Sequence, residues 1–340
     1  MFTSIKGQDQ AALQLENALS RPVNSYIFYG NRGTNIEQCA RIFASRIIDN
    51  SGIKDDRIIK QIYSDVIEFE PNGVNYRIKE DVRETMLGEM SKSPIEGERK
   101  VLIVHDAHRL REDSANAMLK SIEEPPNNII WILIAPERDL VLPTIHSRCF
   151  PIQFSSLSWE LIFSELIERN INEELALYVS KNSGGRLDRA LNMATRNKAL
   201  LNLAIHIAKL DNQSAGDVVA LAKDVTETFD EISKGLVSDN KEIIASTKKE
   251  LQDSGYSEKI QKSVLTTTKN RFEAQEKRLR SELLQDFLDY YQSALLEILK
   301  SNTGLKIQIS KVDDYRKKLI YNPNESLFLE SLFATMAIGQ

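Results

Sequence analysis

Five short apolar runs separated by helical patterns fill the first 155 residues, and that alternation constrains the fold more than any other feature of the chain. The runs are Ser25–Tyr29, Val66–Phe69, Lys100–Val104, Ile129–Ala135 and a short one at Phe150–Phe154. Each is followed by a turn or a helix start, the signature of a parallel sheet covered by helices. Asp113–Ile122 reads as a helix that Pro125-Pro126 stops. After about residue 155 the alternation fades, and Leu, Glu, Lys and Ala recur at three-to-four spacing, so the remainder is mainly helical.

Length and composition narrow the class. A chain of 340 residues exceeds one ordinary core and implies two or three domains. Its 44 basic and 49 acidic residues give a formal charge of −5, so no global positive field marks nucleic acid as the direct ligand. Cys39 and Cys149 lie far apart without C-x-x-C spacing, which excludes a disulfide framework and a cysteine-rich zinc site. The first residues have no apolar signal-like stretch, and about eighteen apolar residues never run uninterrupted. The expectation is a soluble cytoplasmic protein.

The expected division is an α/β domain over residues 1–155, a small helical lid over 156–205 and a helical domain over 206–340. Within the lid, Asn182-Ser183-Gly184-Gly185 is suited to end one helix before another begins at Leu187. Asp211–Gly216 marks a boundary or an interhelical loop. Phe272, Leu279, Leu283, Phe287, Tyr291, Leu295 and Ile298 form an amphipathic stripe. Its charges are mixed and its heptads unsustained, so packing within a helical domain outweighs a coiled coil or a membrane-surface helix.

The turn after the first run is the chemically informative segment. It reads Tyr29-Gly30-Asn31-Arg32-Gly33-Thr34-Asn35-Ile36-Glu37, against the phosphate-loop pattern G-x-x-x-x-G-K-[ST]. Gly30 is kept, but Asn35, Ile36 and Glu37 stand at the Gly, Lys and Ser/Thr positions. A working loop uses backbone N–H groups and the Lys on the phosphates and the hydroxyl on Mg²⁺. A carboxylate about 4 Å from a phosphate charge is instead repelled by roughly 4 kcal/mol at an intermediate dielectric. Unaided triphosphate binding is therefore not expected, and Arg32 reads as a packing or solvent-exposed residue more readily than as a phosphate contact.

Several further signatures together resemble the delta prime subunits of bacterial DNA polymerase III clamp loaders, within the AAA+ ATPase superfamily. Gly7-Gln8 leads an amphipathic helix, and Ser25–Gly30 matches the strand entering the phosphate loop. Asn116-Ala117-Met118-Leu119-Lys120-Ser121-Ile122-Glu123-Glu124-Pro125-Pro126 follows the N-A-L-L-K-x-L-E-E-P-P run of these subunits. After the apolar strand Ile130–Ala135 comes Leu142-Pro143-Thr144-Ile145-His146-Ser147-Arg148-Cys149, whose Ser-Arg-Cys is the arginine-finger motif. Asn322–Leu332 looks like a last collar helix, with its N-x-x-L-x-L-E-x-L pattern.

The resemblance implies an AAA+ domain, a lid and an oligomerising collar. It also implies a non-hydrolysing subunit that supplies Arg148 in trans, with Ser147 and Cys149 completing its motif. Tau/gamma motor subunits and a delta subunit would complete a hetero-pentamer that loads a sliding clamp on primed DNA, with no membrane partner. ATP would belong to the neighbouring subunit, and neither a cofactor nor zinc is expected in this chain. His105-Asp106 stands where a motor carries Asp-Glu to hold Mg²⁺ and polarise water. Arg186, Asp188 and Arg189 straddle the position of the second sensor, leaving that assignment open.

Blander readings compete with each feature. Arg148 could be a structural arginine, and Cys149 has no obvious base to make it a nucleophile. His105, Asp106 and His108 diverge at a strand end and make a poor metal site. Glu123 and Glu124 point about 100° apart on a helix that is about to stop, unlike paired catalytic carboxylates. Two other functions stay open: an ATP-hydrolysing motor of the same superfamily with unusual loop chemistry, and a degenerate AAA+ scaffold in another DNA-processing assembly.

Overall fold

The computed structural model describes residues 6–31, 33–49, 55–61, 63–71, 75–126, 128–210, 215–253, 256–299, 306–319 and 323–337. The chain divides into two compact units, Met1–Ala190 with Ile244–Ala274, and Leu191–Ile243 with Gln275–Gln340.

The first unit is built on five parallel strands, β1 (Ser25–Tyr29), β2 (Val66–Phe69), β3 (Lys100–Val104), β4 (Ile129–Ala135) and β5 (Phe150–Gln153). Their order in the sheet is β2-β3-β4-β1-β5. Four of the strands match the apolar runs, and β5 ends one residue short of Phe154. The helices of this unit are α1 (Asp9–Ser20), α2 (Ile36–Ile48), α3 (Asp55–Ile59), α4 (Leu87–Met90), α5 (Glu112–Glu123), α6 (Pro143–His146), α7 (Trp159–Glu168), α8 (Glu173–Asn182) and the first part of α9 (Leu187–Ala194). A π-helical segment, Ile78–Met86, precedes α4.

Alternation along the strands divides the core into two layers. Tyr26, Phe28, Val101, Ile103, Ile130, Ile132 and Ile134 face one side, with Leu15 of α1 and Cys39 and Phe43 of α2. Ile27, Leu102, Val104, Trp131 and Leu133 face the other, with Val82, Met86, Met118 and Ile122. Because β1, β3 and β4 are buried along their whole length, they read as continuous apolar runs and show no alternation with polar residues. Two buried polar side chains bond to helix carbonyls: Trp131 Nε1 donates to Ser121 O at 3.0 Å, and Ser25 Oγ donates to Ile122 O at 2.7 Å. Both bonds tie the C-terminal end of α5 to the sheet.

The helices continue with α10 (Lys198–Ala208), α11 (Ala215–Asp253), α12 (Glu258–Leu299), α13 (Lys306–Lys318) and α14 (Glu325–Ala337). Residues 244–274, where α11 and α12 turn back on each other, belong to the first unit. There Arg57 lies 4.3 Å from the Tyr256 ring centroid and 5.0 Å from that of Tyr63 while pairing with Glu96 at 2.8 Å. In the second unit Phe287 stacks on Tyr291 at 5.9 Å and meets Phe333 edge-on at 6.0 Å. The stripe residues Phe272, Leu279, Leu283, Phe287, Tyr291 and Leu295 are buried, and Ile298 is half-buried. The stripe therefore packs within the chain. Of the motif near the chain's end, Asn322 lies outside the described residues, while Phe328, Leu329 and Leu332 are buried.

Asp65, fully buried just before β2, accepts from the N–H groups of Ile95 at 2.6 Å, Glu96 at 2.8 Å and Gly97 at 2.8 Å. This carboxylate fixes the loop that enters β3. Asp65→Ala strands three backbone donors and is expected to destabilise the first unit by roughly 2–4 kcal/mol, read as a lower urea midpoint.

Candidate functional site

The segment from Gly30 to Glu37 joins β1 to α2, and Arg32 within it lies outside the described residues. Gly30 N–H donates to Ala135 O at 2.9 Å, continuing the pairing of β1 with β4. A Cβ at Gly30 would fall 2.7 Å from Phe154 Cβ, so the close approach itself demands glycine there. Gly33, at φ 76°, and Asn35, at φ 66°, adopt the left-handed region. Asn tolerates that conformation better than other side chains, so the turn survives without glycine at position 35.

The residues at the start of α2 face in different directions. Ile36, at the lysine position, is fully buried in the layer containing Phe28, Phe43 and Phe154. Its side chain packs into the core under the turn, with Cδ1 3.4 Å from where a Cβ on Gly30 would sit. Glu37 stands in the first turn of α2, where its negative charge suits the helix's positive end. That end would otherwise favour an anion.

Other parts of the unit close over the turn. Gln8 Nε2 donates to Thr34 O at 2.8 Å and to Ser155 O at 2.7 Å, while its Oε1 accepts from Ser155 N at 3.0 Å. Leu187 N–H donates to Gly33 O at 2.8 Å. The Asp188 carboxylate lies directly over Gly33, with Oδ1 only 1.6 Å from the place a Cβ would take. Arg186 turns back onto Asp188, with Nη2 to Oδ2 at 2.9 Å, and Arg189 N–H donates to Asp188 Oδ1 at 2.7 Å. Of the three residues straddling the sensor position, Asp188 is the one set against the loop.

The end of β3 carries a buried charge cluster. His105 Nε2 lies 2.7 Å from Glu68 Oε2, and Glu68 receives Arg41 in a fork, Nε to Oε1 at 2.7 Å and Nη2 to Oε2 at 2.9 Å. Burial disfavours the Glu68 charge, but the Arg41 guanidinium and the hydrogen bonds with His105 and Arg41 outweigh it. Together they hold the carboxyl far below the usual range. Among the described residues, His105 Nδ1 has no hydrogen-bond partner. Asp106 follows at φ 49°, with Oδ2 3.7 Å from Arg109 Nε. Among the described residues, no three His, Cys, Asp or Glu side chains gather as a metal site.

Arg148 lies away from this loop, on the turn between α6 and β5. Its Nε donates to Glu123 Oε1, and its Nη1 donates to Thr144 O at 2.9 Å and to Ser147 Oγ at 3.4 Å. A third of its side chain is exposed. Ser147 N–H donates to Pro143 O at 3.1 Å and Arg148 N–H to Ile145 O at 3.1 Å, which sets the turn. Cys149 is buried, and burial pushes its thiol up to about 12, so it carries no thiolate at neutral pH.

Residues 7–158 match the family described as DNA polymerase III, delta subunit. This stretch, 45% of the chain, is similar to that family. Its relatives include the DNA polymerase III subunit gamma of Buchnera aphidicola from Acyrthosiphon pisum, 32% identical over 48% of this chain and 48% of that protein. The subunit tau of Escherichia coli is 30% identical over 51% of this chain and 28% of its own length. The subunit delta' of Bacillus subtilis is 29% identical over 45% of this chain and 48% of its own length. The chain thus spans about half or less of each of these three relatives. Among solved structures, a gamma subunit-related protein of Thermotoga maritima aligns over 97% of this chain and 99% of its own, with a TM-score of 0.46 and 20% identity. No helix among the described residues is long and apolar enough to cross a membrane.

Sequence reasoning located the turn, His105-Asp106 and Arg148, but not their partners. Glu68 had a visible signal, a lone charge inside the apolar run Val66-Ile67-Glu68-Phe69. Gln8 was flagged only as part of a motif, and Glu123 only as part of a helix stop.

Two outcomes test this geometry. Because the folded Glu68 carboxyl is depressed, its stabilising contribution is fully present above the unfolded value of about 4.3 and is lost as pH falls below it. Thermal melts should therefore show wild type above Glu68→Gln at pH 7, with the gap narrowing below about pH 4. Ile36→Lys, far from restoring a phosphate ligand, is expected to destabilise by about 3 kcal/mol or more by burying a charge in the core, read by urea unfolding.

Proposed function

We propose that this chain is a non-hydrolysing subunit of a DNA polymerase III clamp loader and that Arg148 acts as an arginine finger on the ATP held by a neighbouring subunit. In this reading the chain comprises an AAA+ domain, a lid and a collar. It assembles with tau/gamma motor subunits and a delta subunit, and the assembly opens a sliding clamp for loading on primed DNA. The chain works in the cytoplasm, and its own loop holds no nucleotide.

The observation that carries the reading is the register of β5 on β1. Tyr26 pairs with Phe150 and Tyr29 with Gln153. Arg148 therefore precedes the N-terminal end of β5, whereas Gly30 follows the C-terminal end of β1. Strand rise alone separates those edges by about 13 Å, so this arginine serves no phosphate at its own chain's loop. A planar, permanently charged fork exposed on the opposite edge suits a nucleotide on another chain. Ile36 in the core, Asp188 over Gly33 and Glu68 on His105 each favour a chain that does not hydrolyse ATP itself.

Relatives named as gamma and tau subunits favour a second reading, an ATP-hydrolysing motor. Saturable ATP binding by the isolated chain would support it.

The test of the main reading is clamp- and primed-DNA-stimulated ATP turnover by the reconstituted loader with Arg148→Ala, after assembly is verified. Turnover at the adjoining site is expected to fall by about 10³ or more, the usual worth of such a finger. Unchanged turnover in an intact assembly overturns the finger.

A further inference from the structure

We infer that Glu123 is the positioning residue of Arg148, holding the guanidinium from one side so that its outer nitrogen faces the neighbouring chain; this rests on the finger reading above. An arginine has many rotamers, and a finger left loose on a surface would spend little time correctly aimed. Here two acceptors, besides the adjacent Ser147 Oγ, restrict it. The Glu123 carboxylate takes the Nε proton, and Thr144 O takes one proton of Nη1 at 2.9 Å. Nη2 makes no hydrogen bond among the described residues, so its protons remain for phosphate oxygens.

Both acceptors stand on fixed supports. Glu123 is the last residue of α5, whose carbonyls at Ser121 and Ile122 are bonded to Trp131 and Ser25 of the sheet. Met118 and Ile122 bury the other face of that helix. Thr144 belongs to α6, anchored by the buried Ile145. The run that ends in Glu123-Glu124-Pro125-Pro126 thus does more than stop a helix: it delivers a carboxylate to the arginine 25 residues later. The Glu123 and Arg148 side chains are 45% and 33% exposed, too open for the pair to matter much to stability. Orientation is what the pair supplies.

The experiment compares Glu123→Ala, Glu123→Gln, Arg148→Ala and the double Ala variant in the reconstituted loader, measuring kcat and KM for ATP with clamp and primed DNA. Glu123→Ala is expected to lower kcat about ten- to hundredfold with KM for ATP unchanged, the cost of a misaimed group. Glu123→Gln, which keeps an oxygen acceptor, should recover most of that rate. The double variant should be no slower than Arg148→Ala, because the carboxylate acts only through the arginine. Melting curves and assembly should match the parent throughout; should Glu123→Ala fail to assemble, Glu123→Asp withdraws the acceptor by one methylene and serves instead. Normal kcat in Glu123→Ala beside a crippled Arg148→Ala overturns the positioning role and leaves the finger standing. Normal kcat in both overturns the finger itself. Faster turnover in Glu123→Ala also overturns positioning and makes the carboxylate a mask.

Discussion

A parallel sheet buried on both faces can expose only its two edges, and the placement of chemistry in this chain follows from that constraint. β1, β3 and β4 lie inside two apolar layers, so no functional side chain emerges from the middle of the sheet. Loops at the C-terminal ends of β1 and β3 form one surface, where the Gly30–Glu37 turn and His105-Asp106 sit together. The turn before β5 lies at the other edge and carries Arg148. One rigid layer therefore holds the Gly30–Glu37 turn and Arg148 at opposite ends of the strands.

At the first edge, groups from elsewhere in the unit cap carbonyl oxygens of the turn. Here Gln8 satisfies Thr34 O, Leu187 satisfies Gly33 O, and the Asp188 carboxylate rests on Gly33. At the end of β3, His105 is bonded to Glu68, and Arg41 of α2 balances that carboxylate's charge. Removing one member would leave the others buried without compensation, so the cluster holds together as a unit. Bonds from Gln8, before α1, and Leu187, in α9, make closure of the turn part of the packing of the whole first unit.

The sequence was most legible where physics is local. Strands buried on both faces announce themselves as apolar runs, and β1, β3 and β4 lie where those runs do. Helix α5 extends one residue beyond its expected bounds at each end and stops before Pro125. Asn35, Ile36 and Glu37 were legible as departures from a loop whose chemistry is fixed by residue type. The partners were not legible, because they join positions far apart: Gln8 to Ser155, Glu68 to His105, Glu123 to Arg148. Such pairs arise from register and topology, which no local periodicity encodes. The direction of Ile36 was equally hidden, since an apolar residue at a loop position reads the same whether it faces solvent or core.

The two charge clusters of the first unit also differ in kind, and the difference bears on what each can do. Glu68, Arg41 and His105 are mostly withdrawn from water, so their geometry is costly to alter and belongs to the fold. Glu123 and Arg148 are open to solvent and contribute little to folding, so their partners can be exchanged at small cost. An arginine in the second environment can exchange one anion for another at small cost. Deep burial would lock it in place, and complete freedom would leave it without orientation. A half-exposed carboxylate on a helix end lies between those limits, restricting the guanidinium while leaving Nη2 without a hydrogen bond among the described residues.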